Sequence, residues 1–176
     1  MSQQGVGKIR SAFFTGHRDI DCNVGADISF VLDCLLKTMA NSGITRFYTG
    51  GALGFDTLAA LAVLRLKDNF PSVSLELILP CRNQTRFWSA HDIEVYNAIL
   101  SRADRVEYIA NTYTSTCLHE RNNRLVELGD IGVAYLEHSG GGTAYTVNRA
   151  LNSGKEIINV SDMLTALKKQ RNGDVH

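Results

Sequence analysis

Short apolar runs alternate with stretches of helical spacing from one end of the chain to the other. The runs at 9–14, 46–49, 74–79, 105–109, 131–136 and 156–160 are rich in Val, Ile, Phe and Tyr. They mostly lack strict polar alternation, which is how strands covered on both faces of a parallel sheet read. Between the first two, Ile28, Val31, Leu32, Leu35, Leu36 and Met39 recur at i, i+3, i+4, i+7, i+8 and i+11, one face of a helix, with Gly43 placed to end it. The stretch 58–66 is apolar nearly all round, as in a helix packed deep against a sheet. The spacing predicts further helices over 90–102, 116–128, 143–152 and 161–170. Ser161 is placed as an N-cap, and Gly129 and Gly154 as C-terminal stops. Strand–helix alternation throughout implies right-handed βαβ units. The expected class is α/β: a Rossmann-like open, mostly parallel sheet of about six strands with helices on both faces. One domain is expected over 1–176, with a core at about 9–160, a last helix at about 161–170 and a loose tail.

At 176 residues, a single domain buries roughly 70% of its unfolded surface and needs no disulfide or metal staple. Cys22, Cys34, Cys81 and Cys117 are scattered without metal-ligand spacing, so they read as buried, reduced thiols. Neither a metal nor a cofactor is expected. Residues 1–7 contain no apolar signal core, and no run approaches the roughly 18 apolar residues of a membrane span. A cytoplasmic protein with no membrane partner is the expectation. Eighteen Lys plus Arg balance 18 Asp plus Glu, which argues against nucleic acid as a partner. Of those basic residues, 12 are Arg and 6 are Lys.

Ligands of open parallel sheets bind beyond the carboxyl ends of the strands, where helix N-termini converge. The segments following the strands are accordingly the candidate site. Thr15-Gly16-His17-Arg18 follows the first, and Gly50-Gly51-Ala52-Leu53-Gly54-Phe55-Asp56 the second. Pro80 to Trp88 follows the third, and a Thr/Ser-rich loop leads from the fourth into Leu118-His119-Glu120-Arg121-Asn122-Asn123-Arg124. The fifth ends in Glu137-His138-Ser139-Gly140-Gly141-Gly142-Thr143. Two glycine loops at strand-to-helix junctions allow backbone N–H groups to approach an anion closely. Arg18, Arg82, Arg86, Arg121 and Arg124 fall on the same predicted edge, and the guanidinium fork suits phosphate. The expected ligand is a nucleotide or a ribose phosphate.

Individual residues carry two readings. Asp56 is either an N-cap or a ribose-hydroxyl acceptor. Arg82 and Arg86 are either phosphate clamps, with Trp88 stacking on a base, or members of a solvated loop around an anchored Trp. Arg121 and Asn122 sit early in their helix, where a cation is disfavoured unless an anion compensates. No His has a Ser or Cys partner at a spacing that suggests a nucleophile.

At these motifs the chain resembles the SLOG superfamily, named for the Smf/DprA and Lonely Guy (LOG) proteins, and within it the small stand-alone YspA/YpsA-like group. The similarity runs from about Ser11 to Val160. Thr49-Gly50-Gly51-Ala52-Leu53-Gly54-Phe55-Asp56 is similar to the Ser-Gly-Gly-Ala-x-Gly-Ile-Asp signature of DprA. Leu118 to Asn122 resembles the Met-His-Glu-Arg-Lys motif of LOG enzymes and the Arg-Asn motif of DprA, and Gly141-Gly142-Thr143 falls at the second phosphate loop. The resemblance implies a Rossmann-like fold, a homodimer and a nucleotide-derived ligand. The strand-end loops and the resemblance together give expected ligand contacts at Thr15, Gly16, Arg18, Gly50, Gly51, Gly54, Asp56, Arg121, Asn122, Gly140, Gly141, Gly142 and Thr143, and the loop reading above adds Arg82, Arg86 and Trp88. LOG enzymes cleave the N-glycosidic bond of nucleoside monophosphates with an Arg and a Glu. Arg121 matches the former as the catalytic candidate, whereas Thr146 occupies the position of the Glu, leaving Asp56, Glu120 or Glu137 as substitutes. Three readings follow: a nucleotide-binding sensor or ligand-handling module, a LOG-like phosphoribohydrolase, and DprA-like binding of single-stranded DNA.

Overall fold

The computed structural model describes residues 10–173, which form six strands and six helices in strict alternation. The strands are β1 (Ser11–Gly16), β2 (Arg46–Thr49), β3 (Ser74–Cys81), β4 (Arg105–Ala110), β5 (Ile131–Tyr135) and β6 (Glu156–Asn159). The helices are α1 (Cys22–Asn41), α2 (Phe55–Lys67), α3 (Ala90–Arg102), α4 (Cys117–Leu128), α5 (Gly141–Asn152) and α6 (Val160–Gly173). All pairings are parallel and the strand order is β4-β3-β2-β1-β5-β6. The chain builds outward from β1 to β4, then α4 carries it back across the sheet to start β5 on the other side of β1. The order therefore reverses between β1 and β5, the place where this architecture leaves a crevice.

Side-chain alternation on β1 explains the two layers. Ala12 and Phe14 point into the larger core, shared with α1, α2, α3 and α6 through Ile28, Leu32, Ala59, Val63, Ile99 and Leu164. Phe13 points the other way, into a smaller core under α4 and α5 with Leu125, Val126 and Ala150. Both faces of β1 are thus apolar, which is why its sequence shows no polar alternation. No helix of the described residues is long and apolar enough to cross a membrane.

Several boundaries move for local reasons. β1 begins at Ser11 and runs on to Gly16, paired with Tyr135; Ile9 lies outside the described residues, as does most of the expected loose tail. α1 starts well before its apolar stripe because the Asp21 carboxylate accepts from the Asn23 N–H at 2.8 Å. Ser161 is not the cap of α6: the Asn159 side chain accepts from the Ser161 N–H at 3.2 Å, two residues earlier than expected. Gly129 ends α4 with an extended φ of −87°, and what fixes glycine there is the Phe13 ring, 2.7 Å from where a Cβ would lie. The thiols divide: Cys81 and Cys117 are buried, whereas Cys22 and Cys34 are exposed, since they fall on the solvent side of α1.

A polar clasp holds the start of β1 to the α4–β5 turn. One Asp130 oxygen accepts from the Arg10 and Ser11 N–H groups at 3.0 Å each and from the Ser11 hydroxyl at 2.7 Å. Burial opposes the charge, but these donors prevail and hold the carboxyl below its usual range. Asp130→Ala is expected to cost about 1–2 kcal/mol in urea denaturation, because the Ser11 donors are buried while the carboxylate itself is open to water. A carboxyl with a depressed folded pKa stabilises above its unfolded value and loses that contribution as pH falls. The gap between wild type and variant should therefore close below about pH 4.

Candidate functional site

The crevice between β1 and β5 holds a cavity of about 280 Å³. The end of β1 supplies Phe14 to Arg18, α4 supplies Leu118, Arg121, Asn122 and Leu125, and the β5–α5 junction supplies His138 and Gly140 to Thr143; Ala52 and Asp56 close the floor. The α4 contribution follows helical geometry, since positions i, i+3, i+4 and i+7 share one face. His119 and Glu120 of the same motif turn away. His119 meets the Tyr145 ring edge-on at 4.8 Å, and Glu120 accepts from the Thr116 hydroxyl at 2.7 Å.

At the centre Arg121 and Asp56 are 7% and 4% exposed, with Arg121 Nη1 3.5 Å from Asp56 Oδ2. Nη1 also donates to the Gly50 carbonyl at 2.7 Å, and Asp56 accepts from the Ala52 N–H at 3.2 Å. Burial pushes the Asp56 carboxyl up, opposed by Arg121 and that N–H. Burial likewise lowers the Arg121 guanidinium, opposed by Asp56. Arg121 Nε is the one buried side-chain nitrogen or oxygen among the described residues with no hydrogen-bond partner. Asp56 is not an N-cap, since Gly54 occupies that position and the carboxylate reaches back into the loop.

The two glycine loops do different jobs. A Cβ on Gly50 would lie 1.8 Å from Arg121 Nη1, one on Gly51 2.5 Å from Leu79, and one on Gly54 2.1 Å from the Arg18 carbonyl oxygen. These three glycines are occupied by protein packing and do not line the cavity, contrary to the expectation that they cradle a phosphate. By contrast Gly140 and Gly141 face open space, and the nearest atom to a Cβ on Gly142 is the Asn122 amide nitrogen at 3.6 Å. α5 begins here without a side-chain cap, so its first N–H groups are left for a ligand. Thr15, Gly16, Arg18, Asn122 and Thr143, all among the expected contacts, join them in the lining. Arg18 has no ion-pair or side-chain hydrogen-bond partner among the described residues.

Two histidines not counted among the expected contacts flank the entrance. His17 and His138 stack at 4.0 Å with their rings 18° apart, and both line the cavity. His17 Nε2 accepts from the Glu137 N–H at 3.0 Å, which fixes the proton on Nδ1. Burial, then His138, lowers its pKa, partly offset by Glu137. Burial and the neighbouring Glu137 push the Tyr135 phenol up to about 12.

Other expected contacts fall elsewhere. Arg82, Arg86 and Trp88 line no part of this cavity: Arg82 lies over the Tyr108 ring at 4.1 Å, Arg86 over Phe87 at 4.6 Å, and Trp88 meets Tyr96 edge-on. Arg124 is not on the ligand edge. It is paired with Glu107 of β4 at 2.9 Å, an acid distant in sequence that accounts for its charge. Thr146, at the position of the LOG glutamate, is fully buried and donates to the Gly142 carbonyl at 2.8 Å. Glu137 lies outside the lining, so Asp56 is the only carboxylate in it among the described residues.

Residues 13–166 match the model of the YspA SLOG family. The chain belongs to that family. Among its relatives is a UPF0398 protein of Bacillus cereus, 28% identical over 146 residues, which are 81% of this chain and 77% of the relative. Another, from Staphylococcus epidermidis, is 24% identical over 59% of each chain, so the match spans under two thirds of that relative. The fold is similar to that of DNA processing protein A (DprA) from Streptococcus pneumoniae, with a TM-score of 0.63, 15% identity, and 93% of this chain covering 57% of that one. It is also similar to DprA from Helicobacter pylori, described for its single-stranded DNA binding mode, with a TM-score of 0.51, 16% identity, and 93% of this chain covering 82% of that one. The expectation that nucleic acid is not a partner gains no support from these neighbours.

Proposed function

We propose that this member of the YspA SLOG family binds a nucleotide-derived ligand through its ribose phosphate, in the crevice between β1 and β5, as a sensor or ligand-handling module. The observation that carries this reading is the uncapped start of α5, where Gly140 and Gly141 face open space opposite an unpaired Arg18. Helix N–H groups, a partial positive charge and a guanidinium with no hydrogen-bond partner among the described residues together suit a phosphate. Asn122, with its amide by Gly142, is placed to read a sugar or phosphate oxygen. In this reading Arg121 mainly neutralises Asp56 and supports the Gly50 loop, and its unpaired Nε adds positive potential from below.

A thermal-shift panel of nucleoside monophosphates, ADP-ribose and NAD tests it. At a hundredfold excess over Kd, a binder should raise Tm by roughly 5–10 °C, and Arg18→Ala should abolish the rise while leaving the unliganded Tm nearly unchanged. No shift with any of them overturns the reading. Hydrolysis of the N-glycosidic bond stands second. Asp56 is the one carboxylate in the lining among the described residues, and its contacts there are to Arg121 and the Ala52 N–H. Release of free base from AMP, followed by chromatography, is its test.

A further inference from the structure

A second cavity, of about 480 Å³, adjoins the first and shares Arg18 and Leu118 with it. Its walls come from the β3–α3 and β4–α4 loops, including Asn83, Gln84, Phe87, Trp88 and Tyr113, and among the described residues no acidic side chain lines it. Phe87 is 85% exposed and Tyr113 50%, two of five large exposed hydrophobic side chains among the described residues. Between them Arg86 lies 4.6 Å from the Phe87 centroid and 5.7 Å from that of Tyr113. An apolar ring in water gains nothing from folding, and here two rings and a guanidinium are grouped at one opening.

The grouping is built by hydrogen bonds across the two loops. Asn83 Oδ1 accepts from the Tyr113 N–H at 3.0 Å, and the Arg82 N–H donates to the Asn111 carbonyl at 3.3 Å. Gln84 Nε2 donates to the Tyr96 hydroxyl at 3.1 Å and to the Gly51 carbonyl at 3.4 Å, which ties this wall to the first glycine loop. Among the described residues the Asn83 amide nitrogen and the Gln84 amide oxygen have no hydrogen-bond partner, leaving one donor and one acceptor beside the cavity.

We infer that this groove is a stacking subsite for the aromatic base of the same ligand, with Phe87, Arg86 and Tyr113 as the stack and Arg18 at the joint between base and phosphate. The inference rests on the phosphate reading above and adds a base requirement to it. Flat π systems are held by aromatic and guanidinium faces largely irrespective of base identity, while the amides at the rim supply modest selectivity.

Trp88 lines this cavity and is the chain's single tryptophan, so its fluorescence reports this groove alone. The probes are ribose 5-phosphate, ADP-ribose and a 12-nucleotide oligo(dT). ADP-ribose should change Trp88 emission and bind about tenfold more tightly than ribose 5-phosphate, which should raise Tm without touching Trp88. Phe87→Ala/Tyr113→Ala should remove that tenfold gain and leave ribose 5-phosphate binding unchanged; both rings are exposed, so the variant folds. Equal affinity for the two sugar phosphates, or a gain that survives in the variant, overturns the subsite and spares the phosphate reading. Failure of both sugar phosphates to bind overturns the phosphate reading itself. Trp88 quenching by the oligo(dT) alone, lost in the variant, assigns the groove to single-stranded nucleic acid and overturns the small-molecule form.

Discussion

Arg121→Met is expected to destabilise the fold by about 3–5 kcal/mol in urea denaturation at pH 8, the cost of leaving one member of a buried ion pair alone. The methionine fills similar space, so the loss reports charge and hydrogen bonding more than a cavity. What it strands is Asp56, 4% exposed, together with the Gly50 carbonyl. The dependence on pH distinguishes this cause from simple misfit. Burial already raises the Asp56 carboxyl above the usual carboxylate range, and Arg121 is the main opposing charge. Without it the carboxyl rises further. A group whose folded pKa exceeds its unfolded one favours folding while protonated and loses that advantage as pH climbs through the folded value. The deficit of Arg121→Met should therefore be smallest near pH 5 and grow toward pH 8. Adding Asp56→Asn should recover part of it, less than additively, since the two groups share one interaction. A flat deficit under about 1 kcal/mol would contradict the buried pair.

Gly54→Ala and Gly140→Ala should differ by more than any other pair of glycine substitutions in the two loops. Gly54 has φ +75° and ψ −121°, a conformation other residues hold only under strain, and a Cβ there would meet the Arg18 backbone oxygen at 2.1 Å. Relief requires parting the α2 start from the β1 end and breaking the bond from the Phe55 N–H to the His17 carbonyl, 3.1 Å long. A loss of at least about 3 kcal/mol, or no soluble folded protein, is expected. Gly140 has φ −105° and open space around it, so alanine should change stability by under about 0.5 kcal/mol. The same alanine should weaken the ligand-induced Tm rise, because the methyl would project where the phosphate is proposed to lie. Comparable melting losses at the two positions would refute the division of labour between the loops.

Much of this was legible from residues alone, for identifiable reasons. Parallel strands buried on both faces and a helix such as α1 write strong periodicities, so the six strands and six helices lie close to where apolar spacing placed them. α4 is the clearest case for the site: Leu118, Arg121, Asn122 and Leu125 share a face by helical geometry, and that face meets the cavity. The same geometry rotates Arg124 toward β4, but its partner Glu107 becomes a neighbour only through strand order. Strand order itself is a long-range property, so nothing local shows that β5 lies beside β1. The glycine loops looked alike because glycine marks both a backbone approached by a ligand and a backbone approached by another side chain. Only the position of Arg121 under Gly50 separates the two. Phe87 and Tyr113 were missed as ligand groups because exposed rings in loops carry no periodic signal.

The bonds that pin the end of β1 have a consequence for how the crevice recognises anything. His17 donates its N–H to the Tyr135 carbonyl and offers its own carbonyl to Phe55, while its ring accepts from Glu137. One residue thereby joins β1, α2 and the β5 loop at the rim. The main chain of the rim is already ordered before a ligand arrives, so little backbone entropy remains to be lost on binding. Discrimination then falls to a few exposed side chains, Arg18 and Phe87 foremost. Such a rim selects by shape and charge rather than by folding around its guest.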